Sequence, residues 1–214
     1  MIRFISFDMD GTLIAPEFTD WVWNYGIPRL YAEKTGLSYD SAKTYVEGEY
    51  RKVGEKALEW YDIKYWFRFL GLNEGWRPLM ERFAAKISVY SDVKNALERL
   101  KGRFPLVLTS NAAREFIELE MEATGLIGYF ERTFSATSDF RRVKKTADFY
   151  AQICRVLGAS PSEIVHVGDH YEFDYLVPRA LGVQAFHLDR FFQRQGEFVI
   201  RDLRDLENRL PQAG

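Results

Sequence analysis

Met1-Ile2-Arg3-Phe4-Ile5-Ser6-Phe7-Asp8-Met9-Asp10-Gly11-Thr12-Leu13 opens the chain. Residues 2–8 read as a short, mostly apolar strand. Asp8 and Asp10 lie two residues apart at its end, so an extended backbone orients both carboxylates alike. Gly11 then allows a tight turn. In an open parallel sheet, ligands bind beyond the carboxyl ends of the strands, where this pair would stand. Two close carboxylates repel unless a cation intervenes, and Mg2+ prefers hard oxygen ligands. A solvated acidic turn has the same local sequence, so the rest of the chain must decide.

Two textures follow. From about Ser91 onward, short apolar runs alternate with helical patterns. The runs are residues 104–108, 133–136, 164–167 and 183–187. The helices cover about 112–123, stopped by Gly125, and 146–157, stopped by Gly158, with a third reaching Leu181. This alternation predicts an α/β fold, a Rossmann-like parallel sheet covered on both faces with right-handed crossovers. Residues 17–88 show helical spacing without strands. Phe18, Trp21, Val22 and Tyr25 fall at i, i+3, i+4, i+7, and Ile63, Trp66, Phe67 and Leu70 repeat the pattern. Pro28 suits the first turn of a second helix, Ser38 a cap and Gly71 a stop. The expected organisation is a core of residues 1–14 and 88–214 with an all-helical insert of residues 15–87.

Composition bounds the function. With 214 residues, 47% hydrophobic and 28% charged, the chain can bury a proper core. A net charge of -2 gives no general attraction to nucleic acid. No apolar run is long enough to cross a bilayer, and the opening strand does not resemble a cleavable signal. Cys154 is the single cysteine, so neither an internal disulfide nor a cysteine metal site can form. A cytoplasmic location is the expectation, with no membrane partner, and Cys154 reads as a small buried hydrophobe.

Three further positions follow strands. Ser110 and Asn111 close the second run beside a helix amino terminus, which suits a phosphate oxygen or, equally, a simple helix cap. Lys144 lies in Arg141-Arg142-Val143-Lys144-Lys145, a charge run of the sort that is usually a solvated face. Gly168-Asp169-His170-Tyr171-Glu172-Phe173-Asp174 brings a third carboxylate to the same sheet edge. His166 reads as a core histidine, and His170 is a poor ligand for Mg2+.

In this order the segments resemble the four motifs of the haloacid dehalogenase superfamily, and residues 14–88 fall where that family inserts a helical cap. The resemblance implies a Mg2+-dependent phosphatase acting on a small phosphorylated metabolite. Asp8 would be the nucleophile and Asp10 the general acid and base. Ser110 would bind a phosphoryl oxygen and Lys144 would offset its charge. Gly11, Thr12 and Asn111 would contact substrate. Asp8, Asp169 and the backbone carbonyl of Asp10 would hold the metal, with Asp174 supporting them. The family commonly has Lys-Pro at the third motif, whereas Lys144 here precedes Lys145. The phase of Phe149 and Tyr150 favours Lys144, with Lys145 open. Thr109 is likewise open as a substitute for Ser110.

Other chemistries of the same superfamily are the alternatives. Metal-free 2-haloacid dehalogenases usually lack an acidic residue at the place of Asp10. Phosphonatases use a cap lysine, for which Lys34, Lys43 and Lys64 are candidates. A non-catalytic phosphate-binding protein is a third. Sugar phosphates, phosphoglycolate and nucleotides all stay open as substrates. All five tryptophans lie in the expected cap, and Trp23 falls off the apolar stripe that carries Trp21.

Overall fold

The computed structural model describes residues 1–210. Strands β1 (Phe4–Phe7), β2 (Leu106–Ser110), β3 (Arg132–Ser135), β4 (Ile164–Gly168), β5 (Gln184–Leu188) and β6 (Val199–Ile200) form one sheet in the order β3-β2-β1-β4-β5-β6. Every neighbouring pair is parallel. The chain builds outward from β1 to β3, then returns to the other side of β1 to start β4. That reversal opens a crevice beyond the carboxyl ends of β1 and β4.

From residue 17 to residue 86 the chain is largely helical. It forms α1 (Glu17–Trp21), α2 (Ile27–Thr35), α3 (Tyr39–Val53), α4 (Ile63–Phe69) and α5 (Trp76–Arg82). The remaining helices are α6 (Val93–Lys101), α7 (Arg114–Thr124), α8 (Ala136–Phe140), α9 (Ala147–Leu157), α10 (Val177–Leu181) and α11 (Leu203–Glu207). Strand alternation divides the core between two faces. Ile5, Phe7, Leu106, Leu108, Val165 and Val167 pack with residues of α6, α7 and α11. Val107 and Phe134 pack with Phe149, Tyr150 and Ile153 of α9, against which Val177 and Leu181 of α10 also lie. The result is the three-layered α/β architecture that the strand and helix alternation predicts.

Several punctuation marks act as expected. Ser38 caps α3 by accepting from Ser41 N at 3.3 Å. Gly71, Gly125 and Gly158 follow helices with positive φ. Pro28 does more than start a helix. Helix α1 runs on through a π-helical turn, Val22–Gly26, into α2, and Pro28 lacks the N–H that would bond backwards. Side chains from α3 serve the carbonyls there: Tyr50 donates to Trp23 O at 3.3 Å, and Tyr39 and Lys43 donate to Asn24 O at 3.3 and 3.2 Å. Strand β6 and helix α11 extend beyond the elements expected. A two-residue strand after an exposed loop leaves no periodicity to read.

The helical segment has its own apolar centre. Phe18, Val22, Ile27, Val46, Ile63, Trp66 and Met80 are buried together, and Ala113, which precedes α7, and Phe116 of α7 join them. The segment is therefore joined to the sheet domain by packing as well as by its two connections. Among the described residues, no helix is long and apolar enough to cross a membrane.

Trp66 is fully buried in that centre and edges onto Tyr50 at 4.5 Å between ring centroids. Trp66→Ala should cost about 3–5 kcal/mol of stability. Urea unfolding of the purified variant measures it, and a loss under ~1 kcal/mol would mean that the helical segment does not depend on this side chain.

Candidate active site

The turn after β1 is held from several sides. Met9 O accepts from the amides of Thr12, Leu13 and Ile14 at 3.2, 2.8 and 3.1 Å. Gly11 has φ +79°, and a Cβ there would lie 2.6 Å from Asp169 Cγ, so only glycine lets the turn approach that carboxylate. Arg190 donates to Thr12 O at 2.7 Å while gripping both oxygens of buried Asp92 at 3.1 Å. The Thr12 hydroxyl is fully buried and lies 3.1 Å from both the Asp169 amide and Asp169 Oδ1. This differs from the substrate contact expected of Thr12. Its hydroxyl is spent on locking Asp169 to the first motif, and Gly11 likewise serves the approach to Asp169.

The basic run resolves onto one lysine. Lys145 is 1% exposed and pairs with both Asp8 and Asp174. Lys144, the residue favoured from sequence, instead sits at the rim. Its Nζ is 3.4 Å from Glu55 Oε2 of the helical segment and lies over the Phe173 ring. The reason is local geometry: α9 begins at Ala147, so residues 141–146 are not helical and the phase of Phe149 and Tyr150 does not extend back to them.

A buried polar chain runs beneath Lys145. Asp174 Oδ1 lies 3.1 Å from His166 Nε2, and Asp174 Oδ2 accepts from the His170 amide at 3.0 Å. His166 Nδ1 lies 2.9 Å from Ser6 Oγ, which is 2.9 Å from Thr109 Oγ1. Tyr150 Oη lies 3.1 Å from His166 Nε2. His166 is thus the core histidine expected, yet it is tied to the site through Asp174. Thr109 faces this chain. Ser110 caps the following turn by accepting from Ala112 N at 3.0 Å. The Asn111–Ala112 loop is held from β3's side, where Ser135 and Thr137 donate to Ala112 O and Asn111 O at 2.7 and 3.2 Å.

Electrostatics separate the carboxylates. Burial alone would raise Asp174, but Lys145 and His166 outweigh it and hold the group well below the usual range. Burial likewise opposes charge on Lys145, and Asp174 and Asp8 overcome it, so the ammonium stays protonated. Burial, then the charge of Asp8, pushes Asp10 up to about 7. Burial, then Asp8 and Asp174, pushes Asp169 up to about 8, and burial also raises Asp8.

Oxygens of Asp8, Asp169 and Asp174 lie within 4.8 Å of one another. Asp174 is already engaged on both oxygens, which leaves Asp8 and Asp169 facing a common space. Hard carboxylate donors whose ionisation is opposed by burial and mutual repulsion fit a divalent cation. The Asp10 carboxyl is not in this group. Its Oδ1 is buried without a partner, as is Asn111 Oδ1, and both residues line a cavity of about 460 Å3 between the sheet edge and the helical segment. The three lysines of the helical segment that are candidates for phosphonatase chemistry are engaged elsewhere. Lys34 donates to Leu70 O, Lys43 pairs with Glu47, and Lys64 pairs with Glu115.

Residues 2–182 match the family model for haloacid dehalogenase-like hydrolases. The chain belongs to this family. It is an enzyme. It is 26% identical to the GMP/IMP nucleotidase YrfG of Escherichia coli over 77% of this chain and 73% of the relative. A HAD phosphatase from Thermococcus onnurineus is 26% identical, covers 97% of both chains and superposes with a TM-score of 0.80. A 2-haloacid dehalogenase from Pseudomonas syringae shares the fold at 19% identity, with a TM-score of 0.72 over 97% of both chains.

The raised carboxyls make a stability prediction. A carboxyl whose folded pKa exceeds its unfolded value binds its proton more tightly in the native state, so stability falls as pH rises towards the folded pKa. With Asp10 near 7 and Asp169 near 8, this loss begins in the ordinary carboxylate range and ends near pH 8, so metal-free protein should still lose stability between pH 7 and 8.5, mostly through Asp169. Burial lowers His166, which works the opposite way, but its contribution is complete near pH 7. The expected loss is on the order of 1 kcal/mol, about 2–4 °C in Tm. Scanning calorimetry with chelator reads it. Added Mg2+ should raise Tm more at pH 8.5 than at pH 7, and a metal-free Tm that climbs across this window would contradict the assignment.

Proposed function

We propose that the protein is a Mg2+-dependent phosphatase that hydrolyses a small phosphate monoester through an aspartyl phosphate on Asp8. The helical segment, residues 15–87, serves as the cap over a catalytic core of residues 1–14 and 88–214. The observation that carries the reading is the division of labour between two carboxyls two residues apart. Asp8 is paired with Lys145, whereas the Asp10 side chain turns to the cavity with a pKa near neutrality. Metal-free dehalogenation has no use for that second acid.

A divalent cation held by Asp8, Asp169 and the Asp10 carbonyl would supply positive charge beside the transferring phosphoryl group. The chain's own groups do the rest. An oxygen of Asp8 attacks phosphorus as the leaving oxygen departs in line. Lys145, held by Asp174, offsets charge on the phosphoryl oxygens. Asp10 gives its proton to the leaving oxygen and then takes one from the water that cleaves the acyl phosphate. A pKa near 7 leaves both forms accessible. Ser110 and Asn111, at the end of β2, would receive a phosphoryl oxygen, and the unpartnered Asn111 Oδ1 at the cavity supports a polar role for this loop. The phosphatase from Thermococcus and the E. coli nucleotidase support phosphate esters as substrates.

Hydrolysis of acetyl phosphate and of a generic aryl phosphate should require Mg2+ and stop with chelator. Asp8→Asn should abolish both turnover and covalent labelling, while Asp10→Asn should lower the rate by ~10²–10⁴. Metal-independent release of halide from a 2-haloacid, with no action on phosphate esters, would overturn the proposal.

The two lysines give a sharper test. Lys145→Ala leaves two buried carboxylates without their cation, so it should lower kcat by ~10²-fold or more and destabilise the fold by about 3–5 kcal/mol. Lys144→Ala should change kcat by less than about threefold, since a rim ion pair contributes little. Steady-state rates of both variants at saturating Mg2+ decide, and the reverse ranking would return the role to Lys144.

A further inference from the structure

The cavity beside Asp10 is walled largely by aromatic side chains, several of which also pack on the apolar centre of the helical segment. Phe116 and Tyr50 are buried in its wall, but Trp23, Trp60 and Tyr61 are only partly buried and line the same space. Their orientations are fixed from behind. Trp23 stacks on Phe116 with centroids 5.5 Å apart and planes at 19°. Tyr50 meets Trp23 edge-on at 6.0 Å and Trp60 at 6.1 Å, and its hydroxyl is anchored on Trp23 O. Rings held this way lose little freedom when a flat ligand lies against them.

The polar equipment of the cavity is asymmetric. Glu47 is neutralised by Lys43. Arg51, on the last turn of α3, lines the cavity, is exposed, and has neither a hydrogen bond nor an ion pair among the described residues. An unengaged guanidinium offers a fork of donors to adjacent acceptors. Asp10 stands at the sheet end of the same cavity, so a leaving oxygen protonated there carries the rest of its molecule towards the aromatic wall. A volume of about 460 Å3 is far more than a two- or three-carbon leaving group fills.

We propose that this cavity is the leaving-group subsite, and that it selects phosphate monoesters bearing a flat, acceptor-rich heteroaromatic ring. That is the chemistry of a nucleoside 5′-monophosphate. Trp23 and Trp60 hold the ring, and Arg51 donates to acceptors on its edge, as guanidinium does to the O6 and N7 of a 6-oxopurine. The assignment rests on the phosphatase reading. In the reaction the P–O5′ bond breaks, O5′ takes the proton of Asp10, and the nucleoside leaves. Water then releases inorganic phosphate from Asp8.

Inosine 5′-monophosphate and ribose 5-phosphate share phosphate and sugar and differ in the ring. The enzyme with Mg2+ should favour the former in kcat/KM by about 10- to 100-fold, the range that stacking of one base supplies. Trp23→Leu, Trp60→Leu and Arg51→Met should each shrink that ratio, mainly through KM. Binding is read separately from chemistry in Asp8→Asn, where inosine 5′-monophosphate should quench tryptophan fluorescence at concentrations at least about tenfold below those ribose 5-phosphate requires. Equal kcat/KM for the two substrates, or equal affinity in Asp8→Asn, would overturn the ring subsite while leaving the phosphatase reading intact. Selective binding without hydrolysis of any phosphate ester would do the opposite. Circular dichroism of each variant separates loss of selectivity from loss of fold.

Discussion

A lysine ammonium buried between two carboxylates is the constraint around which this protein is arranged. Removing an ion from water costs several kcal/mol even after relaxation, so Lys145 can sit at 1% exposure only because Asp8 and Asp174 flank it. Those carboxylates need partners of their own. Asp174 finds His166 and the His170 amide, His166 finds Ser6, and Ser6 finds Thr109. Ser6 and His166 are register partners on adjacent strands, so the polar chain crosses the sheet on the face covered by α9. One polar residue in each of β1, β2 and β4 is thereby explained. In strands otherwise buried and apolar, each would be a liability without the others.

The same arrangement shows what a sequence discloses. The motif-bearing ends of β1, β2 and β4 were legible because an apolar run that stops at polar residues marks both the strand and its carboxyl end. The same rule puts Asp8, Asp10 and Asp169 at one edge of the sheet. The choice between Lys144 and Lys145 is not legible in the sequence, because the helical phase of Phe149 and Tyr150 does not reach back to residues 141–146. For Thr12, motif position says that the residue is near the site, but only packing shows that its hydroxyl meets Asp169. The polar chain from His166 through Ser6 to Thr109 depends on register across three strands, which no local pattern encodes.

Trp23 illustrates a third limit. It falls off the stripe shared by Phe18, Trp21 and Val22, and a regular helix would leave its environment undetermined. The π-helical turn at Val22–Gly26 widens the helix there, and Pro28 removes a donor one turn later. Carbonyls freed by this irregularity are taken by Tyr50, Tyr39 and Lys43 of α3, which fastens α3 to the turn. Trp23 is consequently presented to the cavity with its backbone pinned.

How the helical segment can move relative to the sheet follows from what joins them. The two connections run side by side: Ala15 N donates to Ser88 O at 2.9 Å, and Tyr90 N donates to Leu13 O at 3.2 Å. Paired strands of this kind bend together more readily than they separate, so a swing about this ribbon preserves the turn that carries Asp10. Beyond the ribbon, the contacts are of two kinds. The pairs Lys144–Glu55 and Lys64–Glu115 are partly exposed and exchange readily for water. Phe116 is different, because it is 2% exposed and shared by the apolar centre of the helical segment and the wall of the cavity. Opening the cavity therefore means either uncovering Phe116 or sliding the helices across it while Trp23 keeps its stack. Sliding preserves more buried apolar area, so the geometry favours shear over this ring to a wide hinge opening.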